Sequence, residues 1–218
     1  MVKTQLKSDM LFGPVKMDID AAETLDGYAD HLRHLDDQSL RMRFGFHRDR
    51  EAAANWALNL NKKVPDTTHV IWGTKNGWNE LVGVCHLVIS QGQAEIALST
   101  SLGYRRRGIS KALLDVAISY LQNRSITHVY MVCLTENTAV QNMARKSGFA
   151  MVTMDGESTV RLSLPWPTLQ SVAKESISNS LTMVDRQIKM HSDIWDRFLT
   201  RPKYQAIIDK QEPENGKD

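Results

Sequence analysis

Apolar and polar residues follow three rhythms along this chain. From about residue 18 to residue 63 the apolar positions recur three and four apart, the spacing of helices packed on one side. "DIDAAETLDGYADHLRHL" predicts a helix with Asp18 and Asp20 as cap residues, "DDQSLRMRF" a short second helix, and "DREAAANWALNLNKK" a third with Asp49 as its N-cap. The rhythm then shortens. "THVIWGTK", "ELVGVCHLVIS" and "AEIALSTS" read as three strands. Asn76-Gly77 supplies a hairpin turn between the first two, and "QGQ" turns the chain before the third.

Next comes a helix from about Ser110 to Asn123, with Ala112, Leu113, Val116, Ala117, Tyr120 and Leu121 on one stripe. "HVYMVCL" is a buried strand. "TAVQNMARKSG" is a helix closed by Gly148 as a left-handed C′ residue. "FAMVTM" and "STVRLSL", joined at Asp155-Gly156, form a closing hairpin. Helices first, then a meander, then strand–helix–strand–helix–strand predicts an α/β fold with a mixed, mostly antiparallel sheet flanked by helices.

The third rhythm begins after "PWP" at Pro165 to Pro167, which breaks regular structure. Ile177, Leu181, Val184, Ile188, His191, Trp195 and Phe198 lie on a heptad seam. This predicts a domain over residues 1–165 and an amphipathic helical extension over 168–210. An apolar seam of this kind covers either its own domain or the same helix of a second copy, so packing in cis and a homodimer are both expected arrangements.

Composition narrows the function. The 218 residues carry 27 basic and 25 acidic side chains, a net charge of +2, which gives no reason to expect nucleic acid as a partner. No apolar run approaches a membrane span and the first residues have no apolar signal core, so a cytoplasmic protein without a membrane partner is expected. Cys85 and Cys133 each sit in an apolar run, and no metal-ligand spacing is present; the expectation is buried free thiols and no metal.

One stretch does not fit a purely structural account. In "YRRRGISKALL" a strand leads into Tyr104 and a helix leaves from Ser110. Such a junction points several backbone N–H groups at one spot, and the helix dipole adds about half a positive charge there. Gly108 allows close approach of the backbone, and Arg105, Arg106 and Arg107 add charge around it. The loop has the makings of a pyrophosphate cradle, yet it is neither a GxxxxGK[ST] loop nor a GxGxxG fingerprint.

"AEIALSTSLGYRRRGISKALL" resembles the acyl-CoA-binding motif of the GCN5-related N-acetyltransferases, [QR]-x-x-G-x-[GA]. Arg105 fills the first position and Gly108 the fourth; Ser110 stands where Gly or Ala is usual. "ENTAVQNMARKSGF" is similar to the family's later element, with Asn137, Met143, Gly148 and Phe149 in register. The resemblance spans roughly residues 15 to 165. It implies a sheet that splits beside the strand preceding the motif, with acetyl-CoA as cosubstrate in the split. Leu98 and Thr100 would then offer backbone groups to the pantetheine arm. The N–H groups of Arg106, Arg107, Gly108, Ile109, Ser110 and Lys111 would hold the pyrophosphate, and Asn137 would reach the pantetheine or line the cleft. The side chains of Arg105, Arg106 and Arg107 would clamp the 3′-phosphate or form a solvated cluster.

Acetyl transfer to an amine also needs a proton acceptor. Glu95, an acid at the start of an apolar strand, is the candidate, against the alternative of a strand-edge carboxylate facing water. Many relatives carry a tyrosine acid seven residues after the motif asparagine; here that position is Ala144. "SLRMRFGFH" is similar to a "SxxxRFF" element of relatives that include protein-lysine acetyltransferases. The implied reaction is transfer to a primary amine, either a protein lysine or a small molecule; the alternative is a catalytically silent acyl-CoA-binding module.

Overall fold

A computed structural model describes residues 11, 13–154, 157–168 and 172, which fall within one compact unit, Met1–Ser176. The heptad seam from Ile177 to Phe198 and the Asp155-Gly156 turn lie outside the described residues.

The chain opens with a short strand, β1 (Val15–Met17), which the sequence pattern did not signal. Three helices follow: α1 (Ala22–Arg33), α2 (Asp37–Phe44) and α3 (Arg50–Leu58). Then come β2 (Thr67–Lys75), β3 (Leu81–Ser90), β4 (Gln93–Thr100), α4 (Ile109–Gln122), β5 (His128–Leu134), α5 (Thr138–Lys146), β6 (Ala150–Met154) and β7 (Glu157–Ser163).

Local chemistry accounts for most of these boundaries. Asp49 caps α3 as expected, accepting from the N–H groups of Glu51 and Ala52, and Asp36 does the same for α2 from Ser39. The expectation for α1 is corrected. Its N-cap is Ala21, which has no side chain to offer, while Asp18 accepts from the Asp20 N–H in the preceding turn. The turn at Asn76 is also corrected, while the expected "QGQ" turn is found. Gln91 and Gly92 both have positive φ and join β3 to β4 directly, whereas Asn76 Oδ1 gathers the N–H groups of Trp78 and Glu80 into a wider loop with Asn79 in the left-handed region.

The sheet order is β1-β2-β3-β4-β5-β7-β6, and every neighbouring pair is antiparallel except β4 with β5. On one face lies α4, burying Leu113, Leu114, Ala117, Tyr120 and Leu121 against Leu87, Ala94 and Ile96. The stripe is rotated from the one the spacing predicts: Ala112 is exposed and Leu114 takes its place. Each fully buried leucine contributes about 1.5–3 kcal/mol. Helix and sheet meet closely at Gly83, where a Cβ would stand 2.4 Å from Ile109 Cγ2. The other face is covered by α1, α2 and α3, with Tyr28, Leu32, Leu40 and Ala57 against Ile71 and Val84. Cys85 and Cys133 are free and buried, as expected.

Candidate functional site

The parallel pair β4–β5 is short. Its register runs only through Gln93↔His128, Ala94↔Val129 and Glu95↔Tyr130. Beyond Glu95 the two strands part, and from Ile96 to Thr100 β4 has a strand partner on its β3 side alone. A cleft of about 430 Å³ fills the gap. Leu98, Ser99 and Thr100 form one wall, Asn137 to Val140 and Met143 another, and α2 closes a third side with Ser39, Met42 and Arg43.

The loop from Arg105 to Gly108 sits at the cleft mouth. Arg106 (φ 64°) and Gly108 (φ 80°) both lie in the left-handed region, so the loop curls and presents successive N–H groups to one side. Helix α4 starts at Ile109, one residue before the expected Ser110, with Gly108 as its N-cap, and no side chain satisfies the first helical N–H groups. The Ser110 hydroxyl instead meets Thr100 Oγ1 at 2.8 Å, tying the helix start to the end of β4. Around the Gly108 Cα there is open space: an added Cβ would meet nothing within 4 Å.

The predicted site residues fall as follows. Leu98, Thr100, Arg105, Arg106, Gly108, Ile109, Ser110, Lys111 and Asn137 all line the cleft. Arg107 does not; its guanidinium stacks over the Tyr104 ring. Arg105 turns its side chain to α2, bonding Ser39 Oγ and lying 3.8 Å from Asp36 Oδ2. The Ser39 hydrogen bonds, then Arg105, hold the Asp36 carboxyl below its ordinary range. Asn137 caps α5 through Oδ1, which accepts from the Val140 N–H. Glu95 is half-buried at the point where the strands diverge, next to Tyr130 in register, and is not among the residues lining the cleft. Burial, with the Glu95 charge adding, pushes the Tyr130 hydroxyl up. Ala144 is buried in the core and stands outside the cleft.

The structure adds residues that sequence reasoning missed. His31 of α1 is buried, with Nδ1 2.9 Å from the Leu81 carbonyl and Nε2 2.9 Å from Ser99 Oγ. The carbonyl must accept from Nδ1–H, so Nε2 accepts from the serine. Burial lowers this imidazole to about 4. His86 is buried too and held well below the ordinary range, first by desolvation and then by Arg43 and His69. It stacks on His69 and lies 3.3 Å from Arg43 Nη2. His31 and His86 belong to no short motif; they join the site only through the packing of α1, α2 and β3. Among the described residues, no group of three or more His, Cys, Asp or Glu side chains could hold a metal ion, and no helix is long and apolar enough to cross a membrane.

A sheet that splits after Glu95, with a curled N–H loop at the head of the following helix, defines the N-acetyltransferase fold. The acetyltransferase (GNAT) family model matches residues 30–149, and the chain belongs to that family. Solved structures agree on the fold. The GNAT domain of S. lividans PAT superposes with a TM-score of 0.58 at 18% identity, over 69% of this chain and 89% of that one. A GCN5-related N-acetyltransferase from Kribbella flavida gives 0.55 at 12%, over 70% and 98%. The PaiA N-acetyltransferase from Thermoplasma acidophilum, in complex with coenzyme A, gives 0.52 at 18%, over 71% and 99%. No curated protein matches the chain by sequence.

Proposed function

We propose that this protein transfers the acetyl group of acetyl-CoA to a primary amine by direct attack in a ternary complex. The observation that carries the reading is the coincidence of two features at one cleft: β4 loses its β5 partner after Glu95, and an uncapped helix start with a left-handed Gly108 stands at the mouth. The coenzyme-A complex of the Thermoplasma acidophilum neighbour supports the same ligand here.

The residues present fit such a ligand. N–H groups from Arg106 to Lys111 would hold the pyrophosphate, with Lys111 and Arg106 adding charge at the cleft edge. The open side of β4 between Ile96 and Thr100 would pair with the pantetheine amides, and a backbone N–H near Leu98 would polarise the thioester carbonyl. Glu95 would take the amine proton, through water, since it stands at the strand divergence beside the cleft. No side chain need protonate the departing sulfur, because a thiol has a reference pKa of about 8.5 and leaves readily as thiolate.

That Glu95 does not line the cleft and that Ala144 is buried favour a second reading, a silent acyl-CoA-binding module. Two measurements separate them. Coenzyme A should raise the melting temperature by mass action, and Gly108→Trp, whose side chain has open space but whose backbone is strained at φ 80°, should melt lower than wild type and lose the shift. An unchanged shift in that variant would disprove the phosphate cradle. Release of free thiol from acetyl-CoA across a panel of amines then reports catalysis; binding without release with any amine selects the silent module.

A further inference from the structure

Arg43 is a cation set into the cleft wall without a carboxylate. It projects from α2 into a nest of aromatic rings, its Cζ 5.0 Å from the Phe44 ring centroid and 5.5 Å from that of Trp56. Nη2 donates to Tyr28 Oη at 3.1 Å and to His86 Nδ1 at 3.3 Å. Both acceptors are neutral. Nε is buried with no partner, and no acidic group among the described residues lies within ion-pair distance of the guanidinium. The carboxylates at this end of the cleft are already engaged: Asp36 by Arg105, and Glu136 by Arg41. A half-buried guanidinium with a buried, unpartnered Nε–H is costly unless an anion completes it.

Its position relates it to the chemistry. His86 pairs with Ala97 across β3 and β4, and side chains alternate along a strand, so Arg43 lies over the face from which Glu95, Ala97 and Ser99 project. Ser99 reaches His31 of α1 on that face, while Ala94 and Ile96 face α4. An acceptor approaching the middle of β4 from the α2 side therefore meets a cation above Ala97 and a carboxylate at Glu95, two residues along.

We infer that Arg43 binds a carboxylate of the acceptor, and that the acceptor is a small amino acid-like molecule carrying its amine and its carboxylate together. The inference rests on the acetyltransferase reading of the cleft. A lone alkylammonium, as on a protein lysine, brings a like charge toward Arg43 and leaves its donors unfilled. An amino carboxylate neutralises the guanidinium with its anionic end, and its amino group is then held between Arg43 and Glu95. The planar fork of arginine suits a carboxylate in a way a lysine would not.

The test has a binding arm and a turnover arm. In the first, melting of the coenzyme-A-bound protein is followed with N-acetylglycine and N-acetylleucine, and with their neutral amides, at constant ionic strength. The acids should raise the melting temperature and the amides should not; Arg43→Gln should lose the difference while retaining the coenzyme A shift, and Arg43→Lys should regain part of it. Equal shifts from acid and amide, no shift from either acid, or an undiminished difference in Arg43→Gln would each overturn the proposal. In the second arm, free amino acids, their amides, their decarboxylated amines and a lysine-containing peptide are offered with acetyl-CoA. At least tenfold higher kcat/KM for the acids, lost mainly through KM in Arg43→Gln, is expected. A lysine peptide acetylated better than every amino acid would also overturn it. An acid-specific melting shift with no turnover on any amine would keep the Arg43 site and remove the enzymatic reading alone.

Discussion

The two faces of the sheet are built from different materials. The face under α4 is aliphatic: Leu113, Leu114, Leu121, Ala94 and Ile96 are all within a few per cent of full burial. The face under α1, α2 and α3 holds His31, His86, Arg43, Tyr28 and Trp56 beside its leucines. Apolar packing on the first face is non-directional and tolerant of small shifts. Every polar group on the second needs a particular partner, and each missing partner costs about 1–3 kcal/mol. A fold that carries such a face gives up stability there, and the two side chains proposed to serve the reaction, Glu95 and Arg43, both lie on it. The dry face holds the sheet and the head of α4 in place; the wet face is available for chemistry.

The largest effect should appear on the wet face. Glu95→Gln keeps the shape and removes the proposed base, and should lower turnover with a competent amine by roughly 10²–10⁴. Coenzyme A affinity, read by melting shift, should hardly change, since the loop proposed to hold the pyrophosphate is at the other end of β4. A rate unaltered at every pH would assign proton removal to another group. On the dry face, Leu113→Ala deletes a fully buried side chain against the sheet and should cost about 2–5 kcal/mol of unfolding free energy, measured by denaturant titration. A loss below 1 kcal/mol would mean that α4 relaxes into the gap and that the two faces differ less than their burial implies.

The contrast also explains which parts were legible in the sequence. Aliphatic repeats announce themselves by period, so α4, β3 and β5 were readable, and the curled loop at the cleft mouth could be placed because "RRRGIS" keeps a fixed spacing between a strand and a helix. Even there the stripe of α4 was rotated by one position, because Ala112 fits either side of such a helix. The wet face has no period. His31, Arg43 and His86 lie far apart in the chain; the "SLRMRFGFH" element marks Arg43 without showing what it meets, and His31 and His86 stand alone in a helix and an apolar strand. β1 was missed because three residues are too few for alternation to register. Asn76-Gly77 misled because the Asn76 side chain builds its own, wider turn between β2 and β3, whereas the expected "QGQ" turn is found at Gln91-Gly92.

Acid should separate the faces further. His31 is fully buried and folds in its neutral form, with its pKa lowered to about 4 from 6.5. Below the unfolded value the unfolded chain takes up a proton that the folded chain refuses, so stability is full above about 6.5 and falls as pH drops toward 4. Over that window the loss from this one group is roughly 3 kcal/mol. His86, also depressed by burial, acts in the same direction. Melting curves from pH 8 to pH 4 should therefore be steeper for the wild type than for His31→Gln. Parallel curves would mean that the imidazole is protonated in the folded protein and that its Nε2 donates to Ser99.

The smallest expected change is a gain. α1, which supplies His31 and Tyr28 to the wet face, starts at Ala21 in extended backbone (φ −80°, ψ 123°), the geometry of an N-cap, yet no side chain bonds its free N–H groups. The neighbouring helices α2 and α3 are capped by Asp36 and Asp49. Ala21→Ser places a hydroxyl where it can accept from the first-turn N–H of Glu23, and Ala21→Asp would do so as well but beside Asp18 and Asp20, where like charges repel. Serine should add about 1 kcal/mol, which for a domain of this size raises the melting temperature by roughly 2–4 °C. The gain should be indifferent to coenzyme A, because Ala21 is remote from the cleft lining. A serine variant no more stable than wild type would mean that water already satisfies those N–H groups as well as a side chain does. The cost of the wet face would then lie wholly in its buried groups, with no part of it at the open end of α1.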